Sequence, residues 1–296
     1  MQNFSLIDGS GFLYRAYYGL PELTGPDGSN SNVVYGFAKM MLQLMMEQPD
    51  YMLIARDAPV KTKRHEQFEA YKANRPKAPD DFRQQIPKTK ELIAQIGIPS
   101  FEFGGYEADD IIYTAANLAK ENDLMTNIYS SDKDLKQLLC ETVIFKDPMK
   151  HTITDVQKFE TDFQFSPIYI VDYLSLVGDA SDNIPGAAGI GPKWATTLIL
   201  EYQTIENMYN NLEKIPEKFR TKLEASRENV LMSKKLIQLI QVPDMDSKLL
   251  QTRKNEPNIP LYEDLLLKQR NFKSLDRVIK SLKNKINQPI QTSLFG

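Results

Sequence analysis

The sequence predicts an α/β fold in which a mostly parallel sheet is flanked by helices and followed by an all-helical region. Short apolar, strand-like runs alternate with amphipathic helical patterns up to about residue 165. Beyond that point only helical patterns remain. In addition, acidic residues recur where the strands end and where helices begin, which locates a candidate site.

Five short runs are the strand candidates, at residues 4–7, 52–55, 99–103, 126–129 and 143–145. Between them, residues 32–47 and residues 108–120 carry apolar side chains at helical spacing. This alternation favours parallel strands joined by helices. In such sheets, binding sites form at the carboxyl ends of the strands.

Seven short helical patterns follow, at residues 168–177, 193–202, 205–211, 217–225, 227–240, 262–269 and 274–284. We therefore divide the chain into three parts. An α/β domain covers residues 1–165, a helical region covers residues 166–285, and a polar tail covers residues 286–296.

Composition excludes several classes of protein. The chain has 296 residues, of which 42% are hydrophobic, so it can bury a sizeable core. The single cysteine, Cys140, cannot form an internal disulfide, and two histidines give no zinc-binding pattern. There is no run of about 18 apolar residues and no leader-like start, so we expect a cytoplasmic protein without a membrane segment.

The charge is segregated. A net charge of −3 alone argues against a nucleic-acid partner. However, residues 60–78 contain six basic and two acidic side chains, and residues 265–296 contain seven basic and one acidic. Local basic patches, not the total, determine contact with phosphate.

Nine acidic residues form the strongest pattern, and three of them lie within three residues of the end of an apolar strand. The nine are Asp8, Asp57, Glu107, Asp109, Asp110, Asp132, Asp134, Asp179 and Asp182. Two carboxylates 4 Å apart repel by roughly 4 kcal/mol at an effective dielectric constant near 20, so a cluster needs cations. Oxygen ligands suit Mg²⁺ or Mn²⁺, and paired metals in a carboxylate cage cleave phosphodiesters.

Each piece also has an ordinary explanation. Acids at 107–110 suit a first helical turn, residues 132–134 suit a turn, and residues 179–183 suit a cap or Asx turn. Residues 189–193 suit either a plain Gly-Pro turn or a helix start that binds phosphate. The absence of a Walker pattern disfavours nucleotide hydrolysis. The joint occurrence of the acids at matched strand ends favours a metal site.

A basic and aromatic stripe follows the second strand. Lys61, Arg64, Phe68, Tyr71 and Arg75 repeat at three- and four-residue steps. If this segment is a helix, it projects from the body and contacts a single strand, with cations on phosphates and rings on bases. The alternative is a solvated surface helix.

Several motifs together resemble one family. They are IDGSGFLYRAYY at 7–18, YKANRP at 71–76, GYEADDI at 105–111, SDKDL at 131–135, and VGDASDNIPG at 177–186 leading into GIGPK at 189–193. The chain resembles the 5′-nuclease (flap endonuclease) superfamily, most closely the bacterial 5′–3′ exonuclease type that also forms the amino-terminal domain of DNA polymerase I. The resemblance covers residues 4 to about 285.

The resemblance implies a PIN-like body, a helical arch at about residues 60–85 and a helix–three-turn–helix motif in the helical region. It implies two or three Mg²⁺ ions, with Mn²⁺ able to substitute. The first metal would take mostly Asp8, Asp57, Glu107, Asp109 and Asp110. The second would take mostly Asp132, Asp134, Asp179 and Asp182.

The resemblance also implies roles for basic and backbone groups. Lys72 and Arg75 would act in catalysis, with Lys72 on the scissile phosphate. DNA would be contacted by Arg15, Lys61, Arg64, Tyr71, Gly189, Gly191 and Lys193. In relatives the hairpin at 189–193 also binds K⁺. Relatives commonly have Phe where this chain has Arg56 and Lys63, which changes packing at the base of the arch.

The implied activity is hydrolysis of branched or nicked duplex DNA carrying a 5′ flap or end, by two-metal catalysis. Products would be a 5′-phosphate and a 3′-hydroxyl, in primer removal and DNA repair. Two alternatives are a PIN-type ribonuclease and a non-catalytic branched-DNA-binding module. The Gly-rich hairpin and Lys72 disfavour the first. The complete acid set disfavours the second, because idle buried carboxylates destabilise a fold.

The tail carries one further motif, QTSLF at 291–295, which resembles the bacterial sliding-clamp-binding peptide. Leu294 and Phe295 would fill an apolar pocket on the clamp, and Gln291 would hydrogen-bond at its edge. Thr292 departs from the usual Leu. The alternative is a frayed end without a partner.

Overall fold

A six-stranded sheet in the order β3-β2-β1-β4-β5-β6 forms the centre of the protein. The computed structural model describes residues 1–148, 150–245 and 258–287. The strands are β1 (Asn3–Asp8), β2 (Tyr51–Ala55), β3 (Ser100–Phe101), β4 (Met125–Tyr129), β5 (Val143–Asp147) and β6 (Thr152–Thr154). The first five pair in parallel and β6 is antiparallel, which confirms the predicted α/β class.

Helices cover both faces of this sheet. They are α1 (Gly9–Gly19), α2 (Asn32–Met45), α3 (Lys63–Gln67), α4 (Asp80–Ile96), α5 (Ala108–Glu121) and α6 (Val156–Phe163). Because strand side chains alternate, Ile7 and Ile54 join a core with α1, α2 and α4. Leu6 and Leu53 join a second core with α5 on the opposite face.

The second half of the chain extends both cores. Its helices are α7 (Ile170–Val177), α8 (Pro192–Tyr202), α9 (Ile205–Asn210), α10 (Glu217–Ala225), α11 (Arg227–Ile237), α12 (Ile259–Glu263) and α13 (Asp276–Asn287). Helices α7 to α11 share the core of α5. Helices α12 and α13 instead pack beside α4 and α2 on the other face of the sheet. Shorter helical turns lie at Asp134–Leu138, Pro167–Tyr169, Leu212–Lys214, Asp264–Gln269 and Lys273–Leu275.

The segment expected to form a projecting basic helix is folded differently. Helix α3 has five residues, and the chain leaves it at Phe68, whose backbone is extended. Turns follow, and Tyr71 is only 3% exposed. Lys72 has a φ of +56° and donates its backbone N–H to the Asp182 carbonyl at 2.9 Å. The expectation of one long helix with an exposed basic and aromatic face is therefore wrong.

Two expectations concern the periphery of the protein. Across the described ranges, every helix is too short or too polar to cross a membrane. Gln291, Leu294 and Phe295, expected to form the clamp-binding peptide, lie outside the described residues.

Candidate active site

The carboxyl ends of three neighbouring strands define one rim of the sheet. Asp8 is the last residue of β1 and stands opposite Ala55 of β2, while Ile7 stands opposite Tyr129 of β4. Asp57 and Asp132 follow these partners within three residues. The structure therefore brings together the acids that the sequence places at strand ends.

Asp8 is buried at the junction between β1 and α1. One carboxylate oxygen accepts the Gly11 N–H at 2.7 Å, and the other accepts the Ser130 hydroxyl at 2.8 Å. Burial raises the pKa of Asp8 to about 6, against these two hydrogen bonds, and the charges of Asp57 and Asp132 act in the same direction as burial. The carboxylate thus lacks a positive partner.

Three further acids, Asp57, Glu107 and Asp109, lie at or near the start of α5. Asp57 is exposed, and it accepts the Ala108 N–H at 2.8 Å, so it caps this helix from outside. Glu107 is the N-cap residue and is buried. Burial raises the pKa of Asp109 well above its ordinary value, and the charges of Asp132 and Asp8 add to this effect.

Asp132 and Asp134 lie in the loop after β4. Burial raises the pKa of both groups, to about 7 in the case of Asp134, and like charges nearby contribute. The Asp132 carboxylate accepts the Asp134 N–H at 2.9 Å. Oδ1 of Asp134 is buried without a hydrogen-bond partner. An unpaired buried carboxylate oxygen is costly, and a cation would compensate it.

A closed loop between α7 and α8 carries Asp179 and Asp182. Asp179 and Ile184 exchange two backbone hydrogen bonds of 2.9 and 2.8 Å. Gly178 and Gly186 approach so closely that a Cβ on Gly186 would lie 2.5 Å from the Gly178 nitrogen. Both glycines also have positive φ, so this loop shape requires glycine at both positions.

Asp179 and Asp182, the two acids of this loop, have different basic partners. Burial acts to raise the pKa of Asp179, but hydrogen bonds from Ser181 and the Lys133 ammonium hold it below its ordinary value. Lys133 lies 2.9 Å from Asp179. Asp182 is buried and is paired with the Arg75 guanidinium.

Lys72 lies between the two groups of acids. Its Nζ is 2.7 Å from Oε1 of Glu107 and 3.8 Å from Oδ2 of Asp182. The Tyr71 hydroxyl also donates to Glu107, at 3.1 Å. Within the described residues, no three acidic, His or Cys side chains already converge on one cation site. Glu107 and Asp182 instead have protein cations as partners.

Arg64 and Asp110 depart from their expected roles. The Arg64 guanidinium is 4% exposed and donates to both oxygens of Asp110, at 2.7 and 2.8 Å. These oxygens also accept the N–H groups of Glu107 and Ile240. The expectation that Arg64 contacts DNA is wrong in this structure because it is buried. Asp110 has no oxygen free of protein donors, so it does not present a ligand to the rim.

Three other residues expected to contact DNA, Arg15, Tyr71 and Lys61, lie in different environments. Arg15 forms a two-point ion pair with Asp147, at 2.8 and 3.2 Å, so it is not free to meet a phosphate. Tyr71 is buried against Glu107 and is not a surface ring. Lys61 is exposed beside the start of α3.

Arg56 and Lys63 are the two cationic departures from the pattern of the resembled family. The Lys63 ammonium lies 4.3 Å from the Tyr106 ring centre, and Arg56 lies 2.8 Å from Glu102. Both cationic side chains therefore have partners. The contact of Arg56 is ionic and that of Lys63 is a cation–π contact.

The hairpin before α8 is exposed at Gly189, Gly191 and Lys193 and is anchored by buried Ile190. The Ser226 hydroxyl accepts the Ala188 N–H at 3.1 Å, which fixes the hairpin to the start of α11. A lysine contributed by α10, Lys222, donates to the Gly189 carbonyl at 2.8 Å. This ammonium is a partner of one hairpin carbonyl, and the K⁺ ion expected at the hairpin stays a prediction.

Sequence reasoning missed three residues that organise the acids. Ser130 donates to Asp8 and accepts the Asp132 N–H at 3.0 Å, so it links two strand ends. Ser10 accepts the Asp57 N–H at 2.9 Å. Lys133 is the counter-ion of Asp179. The serines close to Asp8 and Asp132 in the sequence were the available signal for Ser10 and Ser130, since short polar side chains often bond to nearby backbone.

The residues at this rim fit divalent cations. Four acids have pKa values raised by burial, and one buried carboxylate oxygen has no partner. Carboxylate oxygen is the ligand that Mg²⁺ and Mn²⁺ prefer. A bound cation would therefore relieve both the desolvation and the repulsion seen here.

Comparison with solved structures supports the fold. A structure of the bacteriophage T5 D15 flap endonuclease with DNA and metal ions matches with a TM-score of 0.67 and 19% identity, covering 97% of this chain and 100% of that one. The catalytic core of Rad2 in complex with DNA substrate matches with a TM-score of 0.61 and 17% identity, covering 95% and 92%. At these identities the likeness concerns the fold alone.

Sequence comparisons are more specific. A 5′-3′ exonuclease of Aquifex aeolicus is 37% identical, with 100% of both chains covered. DNA polymerase I of Bacillus caldotenax is 40% identical over 78% of this chain, which spans only 27% of that polymerase. Residues 3–164 match the 5′-3′ exonuclease N-terminal resolvase-like domain, and residues 165–259 match the 5′-3′ exonuclease C-terminal SAM fold. The chain belongs to the 5′-3′ exonuclease family.

Proposed function

We propose that this chain is a Mg²⁺-dependent, structure-specific 5′-nuclease, with Mn²⁺ able to substitute, that cuts branched or nicked DNA at a 5′ flap or end. The products are a 5′-phosphate and a 3′-hydroxyl. The observation that carries the proposal is the rim of buried and half-buried acids with raised pKa values in a member of this family. The T5 relative, itself named a flap endonuclease, supports the substrate class.

Eight of the nine acids would hold the metals. They are Asp8, Asp57, Glu107, Asp109, Asp132, Asp134, Asp179 and Asp182. Asp110 acts indirectly, by holding Arg64 and the start of α5 in place. When bound, two such ions activate water and stabilise the charge of the phosphate undergoing in-line displacement.

Lys72 and Arg75 serve as the exchangeable cations of the site. Both are paired with acids here, and Arg75 keeps 49% of its side chain exposed. Occupation of Glu107 and Asp182 by metal would release these cations toward the substrate phosphate. A cation placed where negative charge develops lowers the barrier. Because of this change of partner, we expect Lys72 to contribute more to the rate of cleavage than to the affinity for DNA.

The hairpin before α8 supplies the duplex anchor. Backbone N–H groups at a helix start attract phosphate, and α8 begins directly after Gly191. Lys193 in its first turn is exposed. Such contacts read the sugar–phosphate backbone and not the base sequence, as expected for an enzyme that selects DNA by structure.

The test is cleavage of a 5′-labelled flap DNA with Mg²⁺, with EDTA and a matched RNA flap as controls. We expect Asp132→Asn to abolish cleavage while DNA affinity, measured by anisotropy, is kept. Glu121→Gln, an exposed acid at the far end of α5, is the matched control and should cleave normally. Unchanged Mg²⁺-dependent turnover in Asp132→Asn would refute the metal assignment, and a preference for RNA would favour the ribonuclease alternative.

Lys72→Ala is the second arm of this test. We expect a fall in the single-turnover rate of about 100-fold or more with a much smaller loss of affinity, because the ammonium acts on charge that develops during the reaction. An intact rate with weakened binding would remove Lys72 from catalysis.

Docking to a sliding clamp through residues 291–295 rests on sequence alone. Deletion of residues 290–296 should weaken clamp binding and leave cleavage of free flap DNA unchanged. Undiminished clamp binding would end this part of the proposal.

A further inference from the structure

Helix α11 contacts both the hairpin before α8 and the closed loop that carries acids between α7 and α8. The hydroxyl of Ser233, which is fully buried, accepts the Gly186 N–H at the end of this loop at 3.1 Å. Ser226, the residue before α11, accepts the Ala188 N–H at the start of the hairpin, also at 3.1 Å. The two serines are seven residues apart, so they lie on one face of the helix and about 10 Å apart along its axis. One helix face therefore holds the loop and the hairpin together.

The short link between the loop and the hairpin is fixed at every backbone donor. Between the two N–H groups held by α11, the Ala187 N–H donates to the Leu176 carbonyl of α7 at 2.8 Å. The N–H groups of residues 186, 187 and 188 thus have partners on two helices that pack against each other. Movement of this link would leave a buried donor unpaired, which costs about 1 to 3 kcal/mol. The distance between the hairpin and the loop is therefore held constant.

The other end of α11 supports the second loop that carries acids. The Gln137 side-chain amide donates to the Asp134 carbonyl at 2.7 Å and to the Ile237 carbonyl of α11 at 3.2 Å. Its oxygen accepts the Leu239 N–H, just beyond the helix, at 3.1 Å. Helix α11 is thus a common support for the hairpin and for both loops of acids.

We infer that Ser226 and Ser233 determine which phosphate is cut, because they hold the duplex anchor at one distance from the acids. Successive phosphates of one strand are about 3.4 Å apart along the duplex axis. A misplacement of about 1 Å costs on the order of 100-fold in rate, so a rigid support selects one phosphate and rejects its neighbours. The two serines are positioning residues, since they act through the backbone of the link. This inference rests on the proposed function.

The length of the cleavage product tests the inference. A 5′-labelled flap DNA is cut with Mg²⁺ under single-turnover conditions, and the products are resolved to single nucleotides. Ser233→Ala and Ser226→Ala each loosen the link, and each should raise the share of products cut at neighbouring phosphates by about 3-fold or more. For Ser233→Ala the affinity for DNA in EDTA, measured by anisotropy, should change by less than about 2-fold, because the hairpin keeps its phosphate contacts.

Ser175→Ala is the matched control. Ser175 is fully buried in the same core, but its hydroxyl donates at 2.6 Å to the Val171 carbonyl of its own helix, α7. This variant should give the product lengths of the unmodified protein. If Ser233→Ala cuts more slowly but at the same phosphate, its role is structural only and the inference is overturned. A change of product lengths in Ser175→Ala as large as that in Ser233→Ala would also overturn it.

The same assay separates two kinds of failure. If the unmodified protein leaves flap DNA uncut in Mg²⁺, the proposed function fails and the inference fails with it. If flap DNA is cut and both serine variants give unchanged product lengths, the inference alone fails. Thermal unfolding shows whether each variant is folded at the assay temperature. Ser226→Ala, whose hydrogen bond is only partly buried, decides the question if Ser233→Ala does not fold.

Discussion

Removing divalent metal should make the stability of this protein fall as pH rises. Burial raises the pKa of Asp8 from 3.8 to about 6 and that of Asp134 from 3.8 to about 7. In the folded state these groups therefore bind protons more tightly than in the unfolded state. Their contribution to stability is complete below about pH 4 and is lost as pH rises through about 6 and 7.

The size of the effect follows from the two shifts. One pKa unit corresponds to about 1.4 kcal/mol. Between about pH 5 and pH 8, Asp8 loses about 1.5 kcal/mol of stabilisation and Asp134 about 2.5 kcal/mol. The sum, about 4 kcal/mol, is an upper limit because protonation of one acid relieves the repulsion felt by the other. The expected decrease is thus about 2 to 4 kcal/mol, a large part of a typical folding free energy.

The assay is urea unfolding of the metal-free protein in EDTA at several pH values in this range. In excess Mg²⁺ the same series should be nearly flat above about pH 6, because a bound cation replaces the missing proton. His65 opposes the trend below about pH 6.5, since burial lowers its pKa and the folded state then favours the neutral ring. Asp134→Asn removes one of the two carboxylates with a raised pKa. The free energy of unfolding of this variant should therefore fall less steeply with pH than that of the unmodified protein. Metal-free stability that is flat or rises from pH 5 to 8 would refute this account of the rim.

Three further predictions concern single residues. Arg64→Met should destabilise the protein by about 3 to 5 kcal/mol, because it leaves the charge of Asp110 buried and unpaired, and Mg²⁺ should not restore the lost stability in urea unfolding. Ser130→Ala should raise the Mg²⁺ concentration needed for half-maximal cleavage about 10-fold, since Asp8 loses its orienting hydrogen bond; an unchanged Mg²⁺ titration would contradict this role. Gly186→Ala should cost about 2 kcal/mol or more, and it should abolish cleavage by displacing the loop of acids, because φ is positive there and the added Cβ meets backbone; wild-type melting would show that the loop can relax.

The rim of acids could be predicted because parallel strands align their ends. Once residues 4–7, 52–55 and 126–129 are taken as neighbouring strands, the acids that follow them must share one edge. No knowledge of side-chain packing is needed for that step. The need for cations at neutral pH follows from the charges, whereas the nuclease activity came from the resemblance to a family.

The fold of residues 60–75 could not be predicted in the same way. A stripe at helical spacing fits a helix, but the chain turns extended at Phe68, and the buried position of Tyr71 depends on Glu107. The partner of Arg64 is 46 residues away along the chain, and that of Lys222 is 33. Local patterns do not encode such pairs, because they depend on how whole elements pack.

The basic side chains of the site differ in how deeply they are buried and in how many contacts hold them. Arg64 is 4% exposed and is tied to Asp110 at both oxygens, so this pair is a permanent part of the fold. Lys72 is 19% exposed and makes one short contact with Glu107. The buried Arg64–Asp110 ion pair therefore stabilises the fold, whereas Lys72 at the rim is held loosely enough to change its partner. A metal held by Glu107 would take the place of the Lys72 ammonium, whereas the buried Arg64 guanidinium would keep its partner. The arrangement would thus keep Glu107 and Asp182 paired in the absence of metal and still leave them accessible to it.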